Sequence, residues 1–128
     1  MYKHKPIEAY KRVDKATMSG RDVEAEVLTK AAIKLKACRD NWNVDARQRE
    51  AGLKQALDYN QRIWTIFQGE LSSDDNPLPQ EIRRDLLRLS AFIDKRTFEL
   101  NAFPEKEKLN ILIAINQNIA AGLRQTPA

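Results

Sequence analysis

The chain has 128 residues, of which 22 are basic and 18 acidic, for a net charge of +4, and 42% are apolar. This composition excludes a disordered or fibrous chain, and the length suits a single domain, 1–128, able to bury a core without metals. One cysteine excludes an intramolecular disulfide, and a lone thiol suits a reducing compartment.

Met1-Tyr2-Lys3-His4-Lys5-Pro6 lacks the apolar run of a signal peptide. Residues 1–5 and 125–128 are expected to be mobile ends. Pro6 suits a first helical turn and opens a short helix through about residue 18. Ser19-Gly20-Arg21-Asp22 then reads as a fresh start, with Ser19 as the cap and Asp22 three residues later. The following helix, about 20–41, carries Leu28, Ala31, Leu35, Cys38 and Trp42 as one stripe. The excess charge is all in this part of the chain. Residues 1–40 hold ten basic and six acidic residues, and residues 41–128 hold twelve of each. Lys11, Arg12 and Lys15 sit beside Glu8 and Asp14, while Lys30, Lys34 and Lys36 are interleaved with other residue types. That reads as a solvated helix face rather than the concentrated basic face of a nucleic-acid reader.

Asn43-Val44-Asp45 caps the next helix, which runs to about residue 71. Its stripe is Leu53, Leu57, Asn60, Trp64, Phe67 and Leu71, widened by Ala56 and Ile63. Ser72-Ser73-Asp74-Asp75-Asn76-Pro77-Leu78-Pro79 is a loop, because each proline restricts the residue before it. Pro79 opens a helix to about residue 101, with Ile82, Leu86, Leu89, Ile93 and Leu100 on one face and Leu87, Phe92 and Phe98 beside it. Phe103-Pro104 ends it. Pro104, Glu105 and Glu107 open the last helix, whose stripe is Leu109, Leu112, Ile113, Ala120 and Leu123. Ile111, Ile115 and Ile119 form a second stripe, so this helix is either central in a bundle or covered by a partner. The longest uncharged run, 109–123, is 15 residues, short of the roughly 20 a membrane span needs. The fold expected is all-α, a bundle of four or five helices in the cytoplasm, with no membrane contact.

The residues offer little for catalysis. His4 and Cys38 do not make a zinc site. Cys38 lies on an apolar stripe with no second cysteine or histidine to activate it. Asp74-Asp75-Asn76 lacks the glycine and glutamate that a calcium loop requires. Gly20, Gly52, Gly69 and Gly122 are isolated, so no phosphate loop exists. The expectation is a protein that is not an enzyme and takes no cofactor or metal.

Trp64, Asn60 and Asn116 are the informative residues. Each lies within an apolar helical face, where a buried amide unpaired would cost about 1–3 kcal/mol. Two readings stand for the asparagines: pairing across the bundle to fix helix register, or binding a partner's backbone. Trp64 reads as core before ligand platform.

Four words of the chain stand in a familiar order. They are Ala56-Leu57-Asp58-Tyr59-Asn60 with Ile63-Trp64-Thr65-Ile66-Phe67, then Asn76-Pro77-Leu78-Pro79-Gln80-Glu81-Ile82-Arg83. Leu89-Ser90-Ala91-Phe92-Ile93 is the third, and Leu112-Ile113-Ala114-Ile115-Asn116-Gln117-Asn118-Ile119-Ala120-Ala121-Gly122-Leu123 the last. In order and spacing, over residues 10–124, the chain resembles the FlaF family of alphaproteobacterial flagellar proteins. The resemblance implies a small helical cytoplasmic protein needed for flagellin production and export, a flagellin secretion chaperone working alongside the FlbT regulator. Flagellin's terminal segments before assembly are amphipathic helices with nothing to pack against, and a helical protein with surplus apolar surface can cover them. Asn60, Trp64, Asn116, Ile111, Ile115 and Ile119 are the candidate binding residues. The alternative is an RNA-binding regulator of flagellin mRNA, which requires the N-terminal basic residues on one face. A third reading is a scaffold that binds FlbT.

Overall fold

Asp45 begins the second helix as its type leads one to expect: its carboxylate accepts the Arg47 N–H at 2.8 Å, satisfying a donor the helix leaves orphaned. The computed structural model describes the backbone of residues 6–125 and the side chains of residues 21–125. The helices are α1 (Pro6–Asp40), α2 (Ala46–Ser72), α3 (Gln80–Ala102) and α4 (Leu109–Gln125), with a 3-10 turn at Lys106–Lys108. No strand occurs among the described residues. The fold is a small all-α bundle. His4 and the ends expected to be mobile lie outside the described residues, apart from Gln125, which closes α4.

Several boundaries differ from the sequence expectation. The break at residues 19–22 is absent, and α1 runs unbroken through it. A glycine inside a helix costs about 1 kcal/mol, whereas ending one helix and starting another orphans backbone groups at both new termini. No proline forces that exchange here. Trp42 does not complete the α1 stripe, because the helix stops at Asp40. It occupies the turn, half-buried, with the Arg49 guanidinium 5.4 Å from its ring centre and donating to its carbonyl at 3.3 Å. Pro79 caps α3 rather than entering it, its carbonyl accepting the Arg83 N–H at 3.0 Å. The last helix does not open at Pro104. Glu105 is extended, one 3-10 turn follows, and α4 starts at Leu109. That tight turn presents the Lys108 carbonyl to Arg96, whose Nη1 donates to it at 3.2 Å.

The helices alternate in direction. Arg39 donates to Asn110 at 2.9 Å and Arg124 donates to Thr29 at 3.0 Å, so α4 runs antiparallel to α1. Gln68 donates to Ser90 and to Asp94, the latter at 2.9 Å, while Arg83 donates to the Ser73 carbonyl at 3.1 Å, so α3 runs antiparallel to α2. The core is built from Leu28 and Leu35 of α1, Leu57 and Trp64 of α2, Ile93 and Leu100 of α3, and Leu109 and Leu112 of α4. Small residues on α1 (Ala25, Ala31, Ala32), all buried, let α4 approach closely. The α3 face is narrower than its periodicity suggests. Ile93 and Leu100 are buried and Leu86 and Leu89 half-buried, but Ile82 is 46% and Phe98 75% exposed.

Candidate functional site

Two helices that scarcely touch through their backbones are joined by a buried polar relay. The Trp64 indole N–H donates to the Asn116 side-chain oxygen at 2.9 Å, and the Asn116 amide donates to the Asn60 oxygen at 2.6 Å. All three side chains are fully or almost fully buried. One turn of α2 separates Asn60 from Trp64, so a single α4 amide reaches both. This is the pairing across the bundle that the spacing allowed. The Asn60 amide nitrogen has no partner among the described residues.

Beside the relay lies an apolar groove of about 320 Å³. Trp64, Phe67 and Leu71 of α2 form its floor, Leu86 of α3 one wall, and Ile119 and Leu123 of α4 the other. Trp64 and Phe67 meet edge to face, ring centres 5.5 Å apart, an arrangement aromatic pairs favour. Asn76, Pro77 and Leu78 close one end from the interhelical loop. That loop is held in place by its own chemistry. The Asn76 amide donates at 2.9 Å to the Glu70 carbonyl, which also accepts the Ser73 N–H at 3.3 Å, and its oxygen accepts the Leu78 N–H at 3.0 Å. Arg83 donates to the Ser73 carbonyl at 3.1 Å from the first turn of α3. Leu78 is left 38% exposed over the groove.

The rim is charged. Arg21 and Glu24 of α1 and Glu70 of α2 border the apolar floor. Burial pushes the Glu24 carboxyl above its ordinary range. Glu70, close enough to hydrogen-bond to it, pushes the same way, and Arg21 partly offsets both.

The six residues singled out in the sequence do not form one surface. Trp64 and Ile119 line the groove, while Asn60 and Asn116 stand behind it in the relay. Ile115 is buried in the core, and Ile111, 40% exposed, does not line the groove. The stripe Ile111, Ile115, Ile119 therefore divides among surface, core and groove, since residues spaced by four drift around a helix of 3.6 residues per turn. Phe67, Leu71, Leu78, Leu86 and Leu123 belong to the groove and were visible in the sequence only as core or loop. Cys38 is half-buried against the core, and burial pushes its thiol pKa up, which keeps it a protonated small hydrophobe. Among the described residues no cluster of His, Cys, Asp and Glu is placed to hold a metal, and no helix is long and apolar enough to cross a membrane.

The family model described as flagellar protein FlaF matches residues 6–123 of the chain. Nothing matches among curated proteins or among solved structures.

Proposed function

Because the chain belongs to the FlaF family of flagellar proteins, we propose that it binds flagellin in the cytoplasm as an export chaperone and thereby regulates flagellin production. The observation that carries this reading is the groove, an apolar trough between four helices left uncovered by the chain's own described residues. An amphipathic flagellin helix needs its apolar face covered before assembly, and a groove lined by two aromatic rings and five leucine and isoleucine side chains is suited to it. The groove recasts the candidate binding surface as Phe67, Leu78, Leu86, Ile119 and Leu123 over a buried Trp64, with Asn60 and Asn116 holding Trp64 in place. The role is one of binding alone, with no cofactor and no reaction. The FlbT regulator is a second partner, which leaves the exposed aromatics Phe98 and Phe103, each 75% exposed, available for it on another face.

Titration calorimetry of the purified chain against flagellin monomer tests this. The expected result is one-to-one binding, reduced more than tenfold by the pair Leu78→Gln, at an exposed site, and Leu123→Gln, at a half-buried one, with a thermal melt to check that the variant folds. Absence of binding, or equal binding by that variant, rejects the reading.

A further inference from the structure

The groove has a sign as well as a shape. Its floor is apolar, yet two carboxylates from different helices, Glu24 of α1 and Glu70 of α2, meet at one edge, with the Arg21 guanidinium the one cation beside them among the described residues. Packing α1 along α2 brings this like-charge pair together, and Arg21 only partly offsets the cost. Partial burial of Glu24 makes its charge costlier still. A cation supplied from outside relieves both costs at once, and it would arrive at the edge of a surface that already attracts apolar side chains.

We propose that the occupant of the groove is an amphipathic helix of the client that carries a lysine or arginine beside its apolar anchors, the cation settling between Glu24 and Glu70. This rests on the chaperone reading and specifies what the groove selects. The apolar anchors supply affinity, and the acidic rim fixes the helix's direction and register, because reversing the helix carries the cation away from Glu24 and Glu70. It also rejects amphipathic helices with an acidic residue at that place, by like-charge repulsion.

The test uses the full chain, flagellin monomer, and binding measured at low and moderate salt. Glu24→Gln with Glu70→Gln is expected to weaken binding about fivefold to tenfold at low salt and to flatten its salt dependence. Glu70→Lys, at an exposed site that tolerates it, is expected to weaken binding further. A photo-crosslinker at position 70 should mark a flagellin segment within one turn of a lysine or arginine, and changing that residue to glutamate should restore binding to the Glu70→Lys chain. Unchanged binding by the double glutamine variant, with binding still lost in the Leu78→Gln and Leu123→Gln chain, overturns the charged rim and leaves the chaperone reading standing. No binding of flagellin by the parent chain overturns both. A concentration-dependent dimer abolished by the Leu78→Gln and Leu123→Gln pair makes a second copy the occupant and overturns the proposal.

Discussion

Asn116 carries more of the structure than a polar residue in a core usually does. Its oxygen satisfies the Trp64 indole and its amide satisfies Asn60, so removing it strands two buried groups. Asn60 accepts one bond, and its own amide nitrogen is already unpaired among the described residues. The expectation is therefore asymmetric: Asn116→Leu should destabilise by about 2–4 kcal/mol and Asn60→Leu by about half as much, read as shifts in urea unfolding. Equal losses would mean that Trp64 finds another acceptor. Sequence periodicity located both asparagines on apolar faces, but it had no means of bringing Trp64 to Asn116, because that pairing depends on how α4 turns about its axis. Glu24 supplies a second residue-scale prediction. Its carboxyl is raised by burial first and by Glu70 second, so the folded chain holds the proton more tightly than the unfolded one. That proton linkage costs nothing below the ordinary glutamate range, and stability is lost as pH rises through the raised native value. Glu24→Gln, which cannot ionise, should melt higher than the parent at pH 8, with the gap closing toward pH 4. A gap that widens on acidification would give Glu24 the opposite sign.

At the scale of elements, helix identity was legible because prolines and caps mark where hydrogen-bond ladders cannot continue. Asp45, Pro77 and Pro79 did so, and the boundaries there agree with the residue types. Ser19-Gly20 misled because capping residues permit a helix start without compelling one; only a lost donor or a steric clash compels it. Pro104 misled in the other direction. It stops α3 but does not by itself begin α4, since the chain takes an extended residue and a 3-10 turn before reaching Leu109. Gly69 is a helix-interior glycine with open space where a Cβ would stand. Gly69→Ala should therefore raise stability by up to about 1 kcal/mol while leaving the groove unchanged, as thermal melts and flagellin titration together would show. Loss of stability would mean that the end of α2 bends at this glycine.

The groove belongs to the whole molecule. Its walls come from α1, α2, the 72–79 loop, α3 and α4, with residues as far apart as Arg21 and Leu123 meeting across it. A helical wheel sorts residues into inside and outside, and a groove residue is neither, which is why Phe67, Leu86 and Leu123 read as core. Ile119 read as partner-facing from the surplus breadth of α4's apolar arc, a sequence signal that pointed toward the groove.

Charge layout supplies the test between protein and RNA as the partner at this same scale. The chain's excess positive charge lies within residues 1–40, and an RNA interface would need its lysines free to meet phosphates. Lys30 instead pairs with Glu26 at 3.8 Å, and Lys34 stands 5.1 Å from the centre of the Tyr59 ring. Exposed contacts of this kind are individually weak, but they place Lys34 against α2 and an acid beside Lys30. None of Lys30, Lys34 and Lys36 lines the groove. Changing all three to glutamine should therefore leave flagellin affinity within about twofold of the parent, with the same salt dependence. The parent should bind the flagellin mRNA leader only weakly and without sequence preference. Phosphate contacts release counterions, so each lysine that makes one should contribute about one unit to the slope of log affinity against log salt. Tight leader binding whose slope falls by about three units in the triple variant would make these lysines an RNA face. It would replace the chaperone reading with translational control.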